Sequence, residues 1–282
     1  MTFDLSSVKA IYTLADLKNW PEATARVNPP IRLGIYGDPG EHSLSPQMQN
    51  AALRECEIEA QYARFHIAAE ELSDALQLVV ELKFIGINLT IPHKSTARAL
   101  ITRIDEIAGE IGAVNTIKIS AAETIGFNTD AQGFGDAIRE EFGVPLRGLR
   151  VAILGAGGAA RAIAYQCRSE GCATVETWSR RQNVHPRECA RDADMIVNAT
   201  PVGLGADEAS LLPEDAFRPD QLIYDTVYSR NKTPFVRAAE AAGARAADGR
   251  SMLLHQGARA FQIWCARAAP IDVMRNALAG VS

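Results

Sequence analysis

The sequence lacks the features typical of a membrane protein, a secreted protein or a nucleic-acid-binding protein. Its 282 residues contain no uninterrupted apolar run long enough for a membrane helix. Lysine and arginine number 29 against 34 aspartates and glutamates, and the net charge of -5 provides no basic field for nucleic acid. Asp4 and Lys9 interrupt the N-terminal stretch, which does not have the layout of a signal peptide. We therefore expect a cytoplasmic protein that has neither a membrane nor a nucleic acid as a partner.

Cysteine, repeats and low-complexity segments are also scarce. The five cysteines are odd in number, and none is spaced as a C-x-x-C pair or as a set of metal ligands. We expect reduced thiols and no metal site. With 47% hydrophobic and 22% charged residues, the composition is that of a globular protein, and the chain is long enough for two domains.

The most informative stretch is VAILGAGGAARA, residues 151 to 162. Four apolar residues precede a glycine run, and an alanine-rich helical pattern follows it and closes at Gly171. The spacing of Gly155, Gly157 and Ala160 fits the pattern G-x-G-x-x-G/A, in which backbone N-H groups at the positive end of a helix approach a pyrophosphate. Glycines also close ordinary turns, but the order strand, turn and helix favours a dinucleotide site.

The second strand of this unit, TVETW, predicts which dinucleotide binds. It is followed by Ser179, Arg180 and Arg181, where an NAD site usually places an acid for the ribose 2'-hydroxyl. Two arginines at this position favour a 2'-phosphate, and hence NADP. The alternative is a solvated basic turn, and Glu176 lies too early in the strand to reach the ribose.

From Ile31 to Gly126 the pattern alternates between strands and helices, which predicts an α/β domain. Pro92 ends one strand, and STARALITRI, residues 95 to 104, is predicted as the helix that follows it. Residues 1 to 30 are interpreted as an N-terminal extension that contains a short helix.

Polar residues recur where the strands of this domain end. Ser45 and Pro46 predict a helix N-cap followed by proline in the first turn, which leaves Ser43 free of capping. Both hydroxyls also suit a substrate carboxylate at this junction, and the sequence leaves the two interpretations open. Asn88 and Thr90 project to the same face of their strand, which makes that face polar at its end.

Lys94 lies at the start of the predicted helix, where the helix dipole repels a cation. This position therefore makes a functional role plausible, and the alternative is an ordinary solvated surface lysine. Asp130 or Thr129 either caps the following helix or contributes to a polar cleft. Tyr228 is either a packed aromatic or a ligand contact. On the helix SMLLHQGARAFQIW, Gln256 is either a buried hydrogen-bonding residue or a substrate contact, and His255 is expected to be exposed.

Eight motifs, in this order, resemble the shikimate dehydrogenase family and its quinate-active relatives. They are G-D-P-G-E-H-S-L-S-P, N-L-T-I-P-H-K, A-V-N-T, N-T-D-A-Q-G-F, G-A-G-G-A-A-R-A, N-A-T-P-V-G, Y-S-R-N-K-T-P-F and M-L-L-H-Q-G. One such motif could arise by chance, whereas eight in sequence are specific.

The resemblance implies a role for each matching residue. Lys94 and Asp130 would be the catalytic pair, with the ammonium group stabilising and protonating the oxygen that becomes negative during hydride transfer. Substrate contacts would be Ser43, Ser45, Asn88, Thr90, Asn115, Tyr228 and Gln256. Cofactor contacts would be Gly155, Ala156, Gly157, Gly158, Ala159, Ser179, Arg180, Arg181, Thr200 and Gly249.

The chain also departs from the family pattern. The family usually has Asn-Arg-Thr after this strand, then a full helix and a further strand, but here only 17 residues, 181 to 197, precede Asn198. We predict an α/β fold with an N-terminal substrate domain and a Rossmann-like doubly wound domain, the latter shortened after its second strand. The substrate domain would comprise residues 1-129 and 249-282, and the NADP domain residues 130-248.

The resemblance implies a function in the biosynthesis of aromatic amino acids. The chain would be an NADP-dependent oxidoreductase that reversibly reduces 3-dehydroshikimate to shikimate. The rivals are a dehydrogenase that acts on quinate, or on both alcohols, with NAD, and a non-catalytic paralogue that senses shikimate. Whether the protein is a monomer or a homodimer stays open.

Overall fold

The computed structural model describes residues 8-38, 43-121, 123-204, 209-229 and 231-280. The chain divides into two compact units, which are described separately. The first unit comprises Met1-Thr129 with Gly257-Val281, and the second unit comprises Asp130-Gln256. No helix in the described ranges is both long and apolar enough to cross a membrane.

The first unit is built around a seven-stranded sheet. Its strands are β1 (Tyr12-Thr13), β2 (Ile31-Gly37), β3 (Gln61-His66), β4 (Gly86-Leu89), β5 (Arg103-Ile104), β6 (Thr116-Ile119) and β7 (Thr124-Phe127). The order across the sheet is β1-β3-β2-β4-β6-β7-β5. Strand β6 runs antiparallel to both of its neighbours, whereas the other neighbouring pairs are parallel.

Short helices accompany these strands. They are α1 (Leu14-Lys18), α2 (Trp20-Ala23), α3 (Ser45-Glu55), α4 (Leu72-Glu81), α5 (His93-Thr96) and α6 (Glu106-Ile111). Single 3-10 turns occupy Ala69-Glu71 and Ala97-Ala99.

Residues 8 to 30 form part of the first unit rather than an extension. Strand β1 pairs with β3 at the edge of the sheet. Thr13 caps α1 through a reciprocal pair of hydrogen bonds with Asp16. The rings of Tyr12 and Trp20 lie 5.4 Å apart, and Trp20 also packs on Phe65. The large apolar side chains of this segment therefore pack into the core of the first unit.

The predicted helix over 95 to 104 is wrong. Helix α5 ends at Thr96, a 3-10 turn follows, and the chain then enters strand β5. Ala97, Ile101 and Ile104 have helical spacing, but the backbone N-H of Thr102 instead donates to the hydroxyl of Thr124 beside β7. Pairing with β7 thus overrides the local periodicity.

The second unit contains a five-stranded parallel sheet. Its elements are α7 (Asp130-Phe142), β8 (Arg150-Leu154), α8 (Gly158-Ser169), β9 (Thr174-Trp178), α9 (Pro186-Ala190), β10 (Met195-Asn198), β11 (Leu222-Asp225), α10 (Pro234-Ala241), β12 (Arg245-Ala247) and α11 (Arg250-Cys265). Helix α11 crosses into the first unit, where α12 (Ile271-Ala279) follows. The strand order is β12-β11-β10-β8-β9, and every neighbouring pair is parallel.

Both faces of this sheet are covered, as a doubly wound sheet requires. Val151, Ile153 and Val197 pack on one face, whereas Ala152, Leu154 and Ile196 pack on the other. This alternation along buried strands explains their continuous apolar runs.

The predicted shortening after the second strand of this domain is confirmed. Strand β9 is the edge of the sheet, and only the five-residue helix α9 separates it from β10. In the described ranges no further strand lies beyond β9, where the longer doubly wound arrangement continues.

Candidate active site

The glycine turn between β8 and α8 has the geometry that its sequence predicts. Gly155 has a φ of +144°, and a Cβ atom there would lie 2.6 Å from the carbonyl oxygen of Ala199. Gly157 is the N-cap of α8, and a Cβ atom there would have no neighbour within 4 Å. Ala160 is buried against the sheet. Position 155 requires glycine because of its backbone conformation and its close approach to Ala199. The absence of a side chain at Gly157 leaves the exposed side of the turn open to a ligand.

Helix α8 presents its N-terminus at this turn. The helix has 12 residues, and no side chain of the described residues caps its first turn. Ala156 is exposed, and Gly158 and Ala159 are half-buried. Unpaired N-H groups and the helix dipole make this end of the sheet suitable for an anion.

The turn after β9 is closed by Gln182. The backbone N-H of Ser179 donates to Oε1 of Gln182 at 2.8 Å, and Nε2 of Gln182 donates to the carbonyl of Thr177 at 3.3 Å. Arg180 and Arg181 are exposed, and neither forms an ion pair with any residue that the structure describes. Both guanidinium groups therefore extend from a fixed turn.

Two loops follow the neighbouring strands β10 and β11. Thr200 in the first loop donates through its backbone N-H and its hydroxyl to Oδ1 of Asn198, at 3.0 and 2.7 Å. Gly249 precedes α11 and packs on the second loop, where a Cβ atom would clash with the carbonyl oxygen of Thr226. Tyr228 is half-buried in the second loop. In the motif Y-S-R-N-K-T-P-F, Arg230 lies outside the described residues.

Helices α7 and α11 bring Asp130 and Gln256 to the same region of the second unit. A Cβ atom at Gly133 would lie 2.9 Å from Cβ of Gln256, so the helix backbones approach closely at this point. Asp130 is buried one turn before Gly133 on the same face of α7. His255 is not exposed as predicted, because its side chain is 14% exposed and Nε2 lies 2.7 Å from a carboxylate oxygen of Glu140.

In the first unit, Ser43 and Ser45 lie at the start of α3, but the capping prediction is wrong. Ser45 is already the first helical residue, and the N-cap is Leu44, without a side-chain hydrogen bond. The backbone N-H of Ser45 donates to the hydroxyl of Ser43 at 3.2 Å, and the carbonyl of Ser43 accepts from Arg64. The hydroxyl of the buried Ser45 has no hydrogen-bond partner in the described part of the chain. Residues 39-42 of this motif lie outside the described residues.

Asn88 and Asn115 belong to one buried hydrogen-bond network. Tyr62 donates from its hydroxyl to Oδ1 of Asn88 at 2.7 Å, and Nδ2 of Asn88 donates to the hydroxyl of Thr116 at 3.0 Å. Nδ2 of Asn115 donates to the hydroxyl of Thr129 at 2.9 Å, and Oδ1 of Asn115 accepts from the backbone N-H of the same residue. These bonds fix both amide groups at the ends of β4 and β6.

Lys94 lies half-buried on the single turn α5. The backbone N-H of His93 donates to the carbonyl of Thr90 at 2.9 Å, and the carbonyl of Lys94 accepts from the N-H of Val114 at 2.7 Å. The turn is thus tied to the segments that carry Thr90 and Asn115. The hydroxyl of Thr90 has no hydrogen-bond partner in the described ranges.

His93 is a residue that the sequence analysis missed. Its ring is buried, and Nε2 lies 2.8 Å from the carbonyl oxygen of Ile67. Because a carbonyl oxygen only accepts, Nε2 carries the proton. Burial lowers the pKa of this imidazole, and Nδ1 has no hydrogen-bond partner in the described part of the chain. The motif P-H-K contained the signal, but the adjacent lysine drew the functional interpretation.

The fold and these residues define a class of protein. A parallel sheet with a glycine turn opening an uncapped helix is a Rossmann-like dinucleotide-binding arrangement. The polar strand ends of the first unit fit an oxygen-rich small molecule. Such a combination is typical of an oxidoreductase that uses a nicotinamide dinucleotide.

Comparison with known proteins identifies the family. The model of the shikimate dehydrogenase substrate binding domain matches residues 35-117, and that of the shikimate 5'-dehydrogenase C-terminal domain matches residues 249-279. The shikimate dehydrogenase (NADP(+)) of Methanopyrus kandleri is 38% identical, covering 87% of this chain and 94% of its own. That of Methanocella arvoryzae is 39% identical, covering 86% and 96%.

Solved structures agree with the sequence comparison. The shikimate 5-dehydrogenase of Thermus thermophilus, in complex with NADP(H) and shikimate, is 35% identical and superposes with a TM-score of 0.81. The match covers 89% of this chain and 100% of that chain. The chain belongs to the shikimate dehydrogenase family.

Proposed function

We propose that this chain catalyses the reversible, NADP-dependent reduction of 3-dehydroshikimate to shikimate. The observation that carries the proposal is the joint presence of an open glycine turn on α8 and exposed arginines after β9, in a chain that retains Lys94 and Asp130. This reaction would belong to the biosynthesis of aromatic amino acids.

The second unit fits NADP. The open side of Gly157 and the uncapped N-terminus of α8 would accept the pyrophosphate, together with the backbone of Gly155, Ala156, Gly158 and Ala159. Arg180 and Arg181, on a turn that begins at Ser179, would hold the 2'-phosphate, since arginine binds phosphate well and no carboxylate of the described residues competes. Thr200 and Gly249 would lie on the nicotinamide side of the dinucleotide. When bound, the reduced nicotinamide supplies the hydride that adds to the carbonyl carbon.

We assign the proton transfer to Lys94. Its ammonium group would donate a hydrogen bond to the carbonyl oxygen and then transfer a proton as negative charge develops there. Asp130 would orient this group. A donor that is already fixed needs little reorganisation as the charge develops, and α5 is fixed by the hydrogen bonds of His93 and Val114.

We assign substrate binding to the polar residues that match the motifs of the family. Ser43, Ser45 and Tyr228 would hold the carboxylate, and the buried hydroxyl of Ser45, which has no hydrogen-bond partner among the described residues, is consistent with this role. Asn88, Thr90, Asn115 and Gln256 would contact the ring oxygens. Because the network around the two asparagines is preorganised, little reorganisation is needed on binding.

The experiment follows the absorbance of the reduced nicotinamide while purified protein receives shikimate or quinate, each with NADP or NAD. We expect turnover to be fastest with shikimate and NADP. Preference for quinate or NAD would replace the proposal with the rival dehydrogenase. Binding of shikimate without turnover in any of the four mixtures would indicate the non-catalytic paralogue.

A further inference from the structure

Asn198 and Asp225 form a polar pair at the carboxyl end of the second sheet. They are the last residues of β10 and β11 and lie opposite each other in the parallel register. Nδ2 of Asn198 donates to Oδ1 of Asp225 at 2.9 Å, and both side chains are fully buried. Burial of polar groups in an otherwise apolar sheet costs free energy, which hydrogen bonds must offset.

Asn198 organises the loop after β10. Its Oδ1 accepts both hydrogen bonds of Thr200, and its Nδ2 also donates to the carbonyl of Val202 at 3.1 Å. The hydroxyl of Thr200 in turn accepts from the backbone N-H of Val202. This side chain therefore sets the conformation of residues 199 to 202.

Asp225 organises the loop after β11. Its Oδ1 accepts from the backbone N-H of Val227 at 3.0 Å, and its Oδ2 accepts from the hydroxyl of Thr233 at 2.6 Å. Thr233 also caps α10 by accepting from the backbone N-H of Val236. The two bonds to Asp225 hold this loop on either side of Tyr228.

The chemistry of the pair requires a carboxylate. Three donors, from Asn198, Val227 and Thr233, converge on two oxygen atoms, and an ionised carboxylate accepts at every site without carrying a proton that needs an acceptor of its own. An asparagine would direct N-H groups toward at least one of these donors. No cation of the described residues forms an ion pair with Asp225. The folded chain thus tolerates a costly buried charge where two loops meet.

We propose that Asp225 is a positioning residue that fixes the cofactor loop carrying Thr200 relative to the substrate loop carrying Tyr228. Asp225 is fully buried and would act on both ligands only through the two loops. Asp225 acts on the first loop through Asn198 and on the second loop directly. The inference rests on the proposed function for the identity of the ligands at Thr200 and Tyr228.

The test compares three variants at pH 7.5. Asp225→Asn keeps the shape of the side chain but removes the negative charge that both loops contact, and it turns an N-H group toward at least one of the three donors. Thr233→Val removes the bond that holds the far end of the substrate loop, together with the side-chain cap of α10. Thr233→Ser keeps the hydroxyl and serves as the matched control. Dissociation constants are measured for NADPH by its fluorescence and for shikimate by calorimetry, and the melting temperature reports folding.

We expect Asp225→Asn to weaken both NADPH and shikimate by about tenfold, the effect of about one hydrogen bond to a charged group. Thr233→Val should weaken shikimate by a similar factor and leave NADPH within about twofold. Thr233→Ser should bind both ligands as the parent does. If the role of these bonds were purely structural, Thr233→Val would lower the melting temperature and weaken the binding of NADPH and shikimate by the same factor.

Retention of parental affinity for both ligands in Asp225→Asn would overturn the proposal. If that variant does not fold, Thr233→Val decides, and unchanged shikimate affinity or an equal loss for NADPH contradicts the assignment. If the parent binds NADPH but not shikimate, the proposed function fails while the NADPH affinity of Asp225→Asn still tests the positioning role.

Discussion

Asp225 also predicts a pH dependence of stability. Burial raises the pKa of this carboxyl from 3.8 to about 6 in the folded chain. Between these values the folded state binds the proton more tightly than the unfolded state, so this group stabilises the fold below pH 3.8. Its contribution is lost as the pH rises through about 6, and the loss amounts to about 3 kcal/mol in the free energy of unfolding.

Denaturant unfolding between pH 4 and pH 7 checks this expectation. The difference in unfolding free energy between the parent and Asp225→Asn should change by about 2 kcal/mol over that window, in favour of the variant at higher pH. Asp220→Asn is the control, because that side chain is 75% exposed. A parent-variant difference that does not vary with pH would show that the carboxyl titrates normally.

A single methyl group added at Gly157 should weaken cofactor binding without affecting folding. A Cβ atom there meets no protein atom within 4 Å, so Gly157→Ala should fold with the parental melting temperature. The methyl group would occupy the space in which the pyrophosphate approaches the backbone, and we expect the KM for NADP to rise about tenfold or more. Gly109→Ala, also without a neighbour within 4 Å, is the matched control. Unchanged NADP kinetics in Gly157→Ala would place the pyrophosphate elsewhere.

At the scale of elements, the turn after β9 should determine the preference for NADP. Gln182→Ala removes the two side-chain bonds that close this turn and lets Arg180 and Arg181 move. We expect the KM for NADP to rise by about three- to tenfold, corresponding to about one hydrogen bond, while the slower reaction with NAD is unaffected. Steady-state kinetics with both cofactors measure the ratio. The exposed Asn183→Ala provides the control, and equal losses with NADP and NAD would refute the role of the turn.

The N-terminal elements should contribute directly to the stability of the first unit. Trp20 lies in α2, and its ring is 5.4 Å from that of Phe84 and 6.0 Å from that of Phe65. Trp20→Ala should lower the free energy of unfolding by about 3-5 kcal/mol, because it leaves a cavity in an aromatic cluster. The exposed Glu22→Ala should change it by less than about 0.5 kcal/mol. Equal unfolding curves for the two variants would contradict the packing of this segment.

At the scale of the molecule, the sequence was sufficient for the features that depend on local periodicity. Strand β9 spans the predicted residues, and the short connection to β10 follows from the number of residues between them. The glycine turn was also predictable, because backbone conformation and close approach leave few residue types at Gly155.

The features that the sequence did not predict depend on partners distant in the chain. Residues 97 to 104 have helical spacing, yet pairing with β7 makes their end a strand. His93 and Asp225 looked like ordinary loop and strand residues, because Ile67 and Thr233, which explain their positions, are not adjacent in sequence. The proposed roles of the site residues stay predictions that ligand binding and kinetics must test.

The turnover of Lys94→Ala with shikimate and NADP tests whether Lys94 transfers the proton. We predict a decrease in kcat of about 100- to 10,000-fold, the usual effect of losing a general acid-base group. The dissociation constant for NADPH and the melting temperature should match those of the parent, and Lys18→Ala, whose side chain is 56% exposed, should retain full activity. A folded Lys94→Ala variant that keeps most of its turnover would contradict the assignment of proton transfer to this residue.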